Sequence, residues 1–183
     1  MKSIILNNCY GGYSWSLKGV REVLKRKGIK FRYMAVVYPE PGRPEKIEIT
    51  ESQFQYILEH RDKTRYCGPD GLYVSEVYFE GENDPDKDSP YYRGWNKYSI
   101  DREDPDAIAV FEEFGPVFCS GEHAKLYLDE YDDEDWVADI DEYDGMETLD
   151  LQPRLTEKRV RACKNIDEVV ELLRRLCCFV NNQ

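Results

Sequence analysis

Apolar and polar positions change period several times along the chain, and each change marks an element. Ile4, Ile5 and Leu6 form a short apolar run that Cys9-Tyr10-Gly11-Gly12 interrupts, which predicts a buried strand followed by a turn. Ser14 or Ser16 can then cap a helix whose stripe is Leu17, Val20, Val23 and Leu24, with Gly28 suited to a left-handed stop. Phe31 to Tyr38 is rich in β-branched and aromatic residues and reads as a strand, ended by Pro39, Pro41, Gly42 and Pro44. The opening is therefore a β-loop-α-β unit.

Thr50 and Gln53 have capping-box spacing ahead of Phe54, Ile57 and Leu58, and Leu72 to Phe79 alternates as a strand. Residues 80–104 carry no apolar period and are crowded with Asp, Gly, Pro and Tyr, which predicts a long surface insertion. Asp104-Pro105-Asp106 is a helix start: a side-chain cap, a proline in the first turn and an acid favoured by the helix dipole. Ile108, Val110, Phe111 and Phe114 follow, and Gly115-Pro116 should stop the helix. Ala124 to Tyr131, Trp136 to Tyr143 and Met146 to Leu151 read as strands, the last two joined by Asp144-Gly145 as a hairpin turn. Asn165 and Glu168 open a final helix with a stripe of Ile166, Val169, Val170, Leu173, Leu176, Cys177 and Val180. The expected class is α+β (mixed α/β): one domain over residues 1–183, a single sheet with packed helices.

Composition supports a folded core, with 41% hydrophobic and 13% aromatic residues in a chain of 183. No apolar run approaches the ~18–20 residues of a membrane span, and the N-terminus lacks the pattern of a secretory signal. The net charge of -12 would by itself disfavour nucleic acid and anionic membranes. That charge is unevenly placed: +6 over residues 1–66, -21 over 67–153 and +3 over 154–183. Opposite-sign segments point to internal pairing, to association between copies, or to a partner with a basic surface.

Candidate chemistry is sparse. Cys9, Tyr10, Gly11 and Gly12, with Ser14, lie between a strand and a helix, where paired glycines can turn N–H groups toward a phosphate or carboxylate or simply make a tight turn. Cys9 with His123 as its base would be a nucleophilic pair, although no cysteine-protease signature surrounds it. Asp84, Asp86 and Asp88 copy the start of a calcium loop, but Ser89 and Trp95 stand where its glycine and closing glutamate belong. The six cysteines show neither zinc spacing nor a disulfide framework and suit the core as reduced thiols, and no cofactor is implied. Tyr91, Tyr92, Arg93, Trp95 and Tyr98 interleave aromatic and basic residues as protein interfaces do. Arg154, Lys158, Arg159, Arg161 and Lys164 form a basic run before the last helix.

Four groups of residues taken in order carry a resemblance. They are Ile5-Leu6-Asn7-Asn8-Cys9-Tyr10-Gly11-Gly12-Tyr13-Ser14, then Arg102-Glu103-Asp104-Pro105-Asp106-Ala107-Ile108-Ala109-Val110 with Glu112, Glu113 and Gly115, then Ala124-Lys125-Leu126, then Glu142-Tyr143-Asp144-Gly145-Met146-Glu147. Together the chain resembles a group of small uncharacterised proteins of bacteriophages and giant double-stranded DNA viruses. Tyr13 stands where phenylalanine is usual in that group, and Ala107 where leucine is. The resemblance implies a viral origin and a shared fold, with the virion or host cytoplasm as the setting, and brings no activity. The leading expectation is a non-enzymatic protein acting through protein contact or self-association. A phosphate- or nucleotide-binding domain using the Cys9–Gly12 loop and an acidic mimic of nucleic acid are the alternatives.

Overall fold

The computed structural model describes residues 1–40, 43–60, 66–67, 73–82, 94–134, 136–154 and 156–180, with backbone alone at 40, 66, 67, 153, 157–159 and 175–180. The protein is α+β, and its chain forms two compact units, Met1–Tyr13 with His123–Gln183, and Ser14–Glu122 inserted between them.

In the inserted unit the elements are α1 (Leu17–Arg26), β2 (Phe31–Glu40), β3 (Arg43–Ile49), α2 (Glu51–Glu59), β4 (Tyr66–Cys67), β5 (Tyr73–Gly81) and α3 (Pro105–Cys119). The strands make an antiparallel sheet of order β3-β2-β5-β4, with Tyr33 opposite Phe79 and Ala35 opposite Val77. Both faces of β2 and β5 are apolar, so Met34, Ala35, Val36, Val37, Val77, Tyr78 and Phe79 are all buried. Phe54 of α2 sits 5.0 Å from the Tyr33 ring and 5.2 Å from Phe79 by centroids, which fixes that helix on one face. Buried Val20, Val23 and Leu24 are the expected stripe of α1, and Ser16 is its cap, accepting from the Gly19 N–H at 2.9 Å. Trp15, fully buried, meets Phe111 of α3 edge-on at 6.4 Å.

The caps behave as their residue types dictate. Thr50 and Gln53 complete a capping box, and the Asp104 carboxylate accepts from the Asp106 and Ala107 N–H groups while pairing with Lys27 at 2.5 Å. Gly115 does break α3, at φ 79°, but helical structure resumes at Pro116, whose missing N–H suits a first turn. The chain near Pro39 and Pro44 is not simply a strand end. It is a β2–β3 hairpin with a register shift between Val37 and Glu40, and the prolines sit at the bulge and the outer edge, where no ladder donor is needed. β3 escapes sequence patterning because Ile47 and Ile49 are its only aliphatic residues.

The other unit holds β1 (Lys2–Asn7), β6 (Leu126–Tyr131), β7 (Trp136–Tyr143), β8 (Met146–Pro153), α4 (Glu157–Ala162) and α5 (Ile166–Val180). β1 pairs antiparallel with β6, and β7 with β8, so the single sheet expected from sequence is replaced by three separate sheets among the described residues. The reason is that each pair carries an apolar face that needs cover, besides the buried Ile5 and Leu126 on the other side of β1–β6. Ile4 and Leu6 with Tyr127 and Tyr131 on one pair, and Ala138, Ile140, Leu149 and Leu151 on the other, bury each other as faces. Edge-to-edge extension would leave these two facing surfaces wet. Leu176, Cys177 and Val180 of the α5 stripe lie outside the described side chains.

Candidate functional site

The outer face of the β7–β8 hairpin is the most distinctive surface. Alternation sends Ala138, Ile140, Leu149 and Leu151 inward, and therefore sends Val137, Asp139, Asp141 and Tyr143 outward, all four exposed. Register then places Asp139 directly opposite Asp150, with Asp141 opposite Thr148. Like charges in facing positions of a ladder are destabilising by ~0.2–1 kcal/mol. Their own segment supplies no cation, because residues 126–153 hold twelve carboxylates and no lysine or arginine. Among the described residues none of Asp139, Asp141, Glu142, Asp144 and Asp150 forms an ion pair, whereas Arg21, Arg26, Lys27 and Arg32 of the inserted unit are all paired with carboxylates.

The hairpin is aimed by a polar knot beneath its turn. Asp144 (φ 51°) and Gly145 (φ 85°) are both left-handed, as a two-residue hairpin turn of this hand requires. Asn7, fully buried at the end of β1, donates to the carbonyls of Gly145 at 2.7 Å and Cys9 at 2.6 Å and accepts from the Lys125 N–H at 2.8 Å. Its own N–H donates to the carboxylate of Glu147, itself only 2% exposed, at 3.0 Å. Tyr127 donates to the Glu147 carbonyl at 3.2 Å, and burial, then the nearby Asp129 and Glu147 carboxylates, raises its hydroxyl above the ordinary 10.0.

The Cys9–Gly12 loop belongs to this knot. Gly11 packs so closely on the His123 main chain that a Cβ there would overlap the His123 carbonyl oxygen, and a Cβ on Gly145 would meet Gly12 N at 2.6 Å. The Cys9 thiol donates toward that same His123 carbonyl at 3.0 Å, so Cys9 and His123 meet through backbone rather than through the imidazole that a nucleophilic pair needs. Tyr10 is exposed. Ser14 lies in the inserted unit, its carbonyl accepting from the Gly121 N–H at 2.9 Å. Burial pushes the Cys119 thiol up to about 12, the behaviour of a core thiol.

Of the aromatic interface candidates, Tyr91, Tyr92 and Arg93 lie outside the described residues, as do Asp84, Asp86 and Asp88. Trp95 is half-buried and bridged to Phe79 by two backbone hydrogen bonds of 2.7 and 3.0 Å, while Tyr98 is 64% exposed. Among the described residues no cluster of three or more His, Cys, Asp or Glu is placed to hold a metal, and no helix is long and apolar enough to cross a membrane. A cleft of about 570 Å³ in the inserted unit has Leu58 and Val77 as apolar walls, with Lys18 and Lys97 balanced by Glu76 and Glu122. That balance selects no ligand by charge.

Asn7 and Glu147 are the residues that motif reading passed over as organisers. Glu147 carried a usable signal: it shares parity with Leu149 and Leu151 and so had to point inward, where a carboxylate needs donors. Comparison with protein-family models, with curated proteins and with solved structures gives no match.

Proposed function

We propose that the protein acts by non-enzymatic protein contact, and that the outer face of β7–β8 is the surface it offers to a basic partner. The facing pair Asp139 and Asp150, exposed and lacking a cation in their own segment, carries the reading. A pair that weakens its own hairpin is relieved when lysine or arginine side chains of another molecule dock on it. The rigid turn and the Asn7–Glu147 knot hold that face at fixed geometry, which limits the entropy lost on docking. The viral setting, in the virion or the host cytoplasm, comes from the resemblance in the N-terminal and hairpin motifs.

A synthetic peptide rich in lysine and arginine serves as the probe. The triple variant Asp139→Asn, Asp141→Asn, Asp150→Asn is expected to bind it about tenfold more weakly or worse, roughly 0.5 kcal/mol per lost charge. Its melting temperature should equal or exceed that of the wild type, because the like-charge pair is gone. Neutralising Glu45, Glu59 and Glu112, exposed acids of the inserted unit, is the control. Equal loss from both triple variants would refute a localised acidic surface.

A further inference from the structure

Helix α5 presents an apolar line that its own unit does not cover. Ile166 is 78% exposed, Val170 40% and Leu173 41%, while Val169 and Leu172 on the neighbouring face are half-buried. At about 100° per residue, positions 166, 170 and 173 fall within one narrow stripe. Charge borders this stripe on one side. Asp167 and Arg174, seven residues apart, sit on the same flank, and among the described residues neither makes an ion pair or a hydrogen bond with its side chain.

From this we infer that α5 is a self-association surface on which a second copy of the same chain docks antiparallel. The sign pattern selects both occupant and orientation. The two-fold axis of an antiparallel pair passes between Val170 and Leu173, so each Leu173 packs beside Val170 of the second copy. The same operation leaves Arg174 of one copy on the same flank as Asp167 of the other and about 3 Å from its level along the axis, within the reach of an arginine, twice per pair. A parallel pair would instead carry this charged flank to opposite sides of the seam in the two copies, so that Asp167 and Arg174 would gain no pairing across it. A single surface thus complements itself, as a two-fold interface requires. The inference is independent of the acidic-face reading, which concerns β7–β8. If both hold, a pair of chains displays two acidic faces, and a partner with repeated basic sites gains avidity.

Sedimentation of the full chain over about 1–200 µM tests this, since assembly of this kind depends on concentration. The wild type should shift from monomer to dimer within that range. Leu173→Asp should remain monomeric with an unchanged circular-dichroism spectrum, showing that the fold survives. Arg174→Glu should weaken the dimer by about tenfold, and combining it with Asp167→Arg, which swaps the signs in both copies, should restore it. A wild type that stays monomeric throughout, a dimer that survives Leu173→Asp, or a charge swap that fails to recover would each overturn the inference.

Discussion

Replacing Asn7 with alanine is expected to lower stability by about 4 kcal/mol, because one buried side chain satisfies three backbone groups at once. The Gly145 and Cys9 carbonyls lose their donor and the Lys125 N–H loses its acceptor. Each orphaned group costs ~1–3 kcal/mol where water cannot reach it, and the small cavity adds to that. For a chain of this length the melting temperature should fall by roughly 10 °C or more. The loss should localise: amides of β1, β6 and the β7–β8 turn should exchange faster in the variant while those of β2 and β5 keep their protection. A shift of less than ~2 °C would mean that water or neighbouring groups replace the amide, and that the hairpin is not held from beneath.

The glycine pair supplies the second large effect. Gly11→Ala places a Cβ in the space of the His123 carbonyl, which is main chain and cannot rotate away. Backbone must move, at a cost of about 3 kcal/mol or more, as for overpacking in a rigid site. Gly12→Ala has open space around it and only a left-handed backbone at φ 76° to contend with, worth about 1 kcal/mol. Chemical denaturation of the two variants should therefore separate them by roughly 2 kcal/mol. Equal effects, or a milder Gly11→Ala, would contradict the close packing of the loop on His123. The contrast also bears on the phosphate-loop alternative: Gly12 is the tolerant position structurally, so anion binding lost in Gly12→Ala would support that reading.

Much of the fold was legible because its signals are local. Helix α1 announces itself through Ser16, its four-residue stripe and Gly28, and α3 through Asp104-Pro105. The β7–β8 hairpin follows from alternation on either side of Asp144-Gly145. What sequence could not show is which faces meet. Ile4 and Leu6 are apolar whether β1 joins the hairpin at its edge or stacks on it, so the division into three sheets depends on non-local pairing. Edge strand β3 is hidden for a different reason, since an edge with one wet face needs few apolar residues. The site shows the same divide. Carboxylate density between Leu126 and Pro153 is plain in the sequence, but Asp139 facing Asp150 is a matter of register, fixed by a two-residue turn and by the knot at Asn7. Cys9 and His123 show it as well: sequence offers them as a pair, and the fold makes the His123 carbonyl the group that the Cys9 thiol donates to.

The acidic outer face as a docking surface is tested most directly by backbone-amide NMR of the full chain titrated with the lysine- and arginine-rich peptide. The shifts should concentrate on Val137–Tyr143 and Met146–Gln152, be largest at the outward positions Asp139, Asp141 and Asp150, and shrink as salt is raised. Shifts centred in Ser14–Glu122, or spread evenly over every exposed acid, would contradict it.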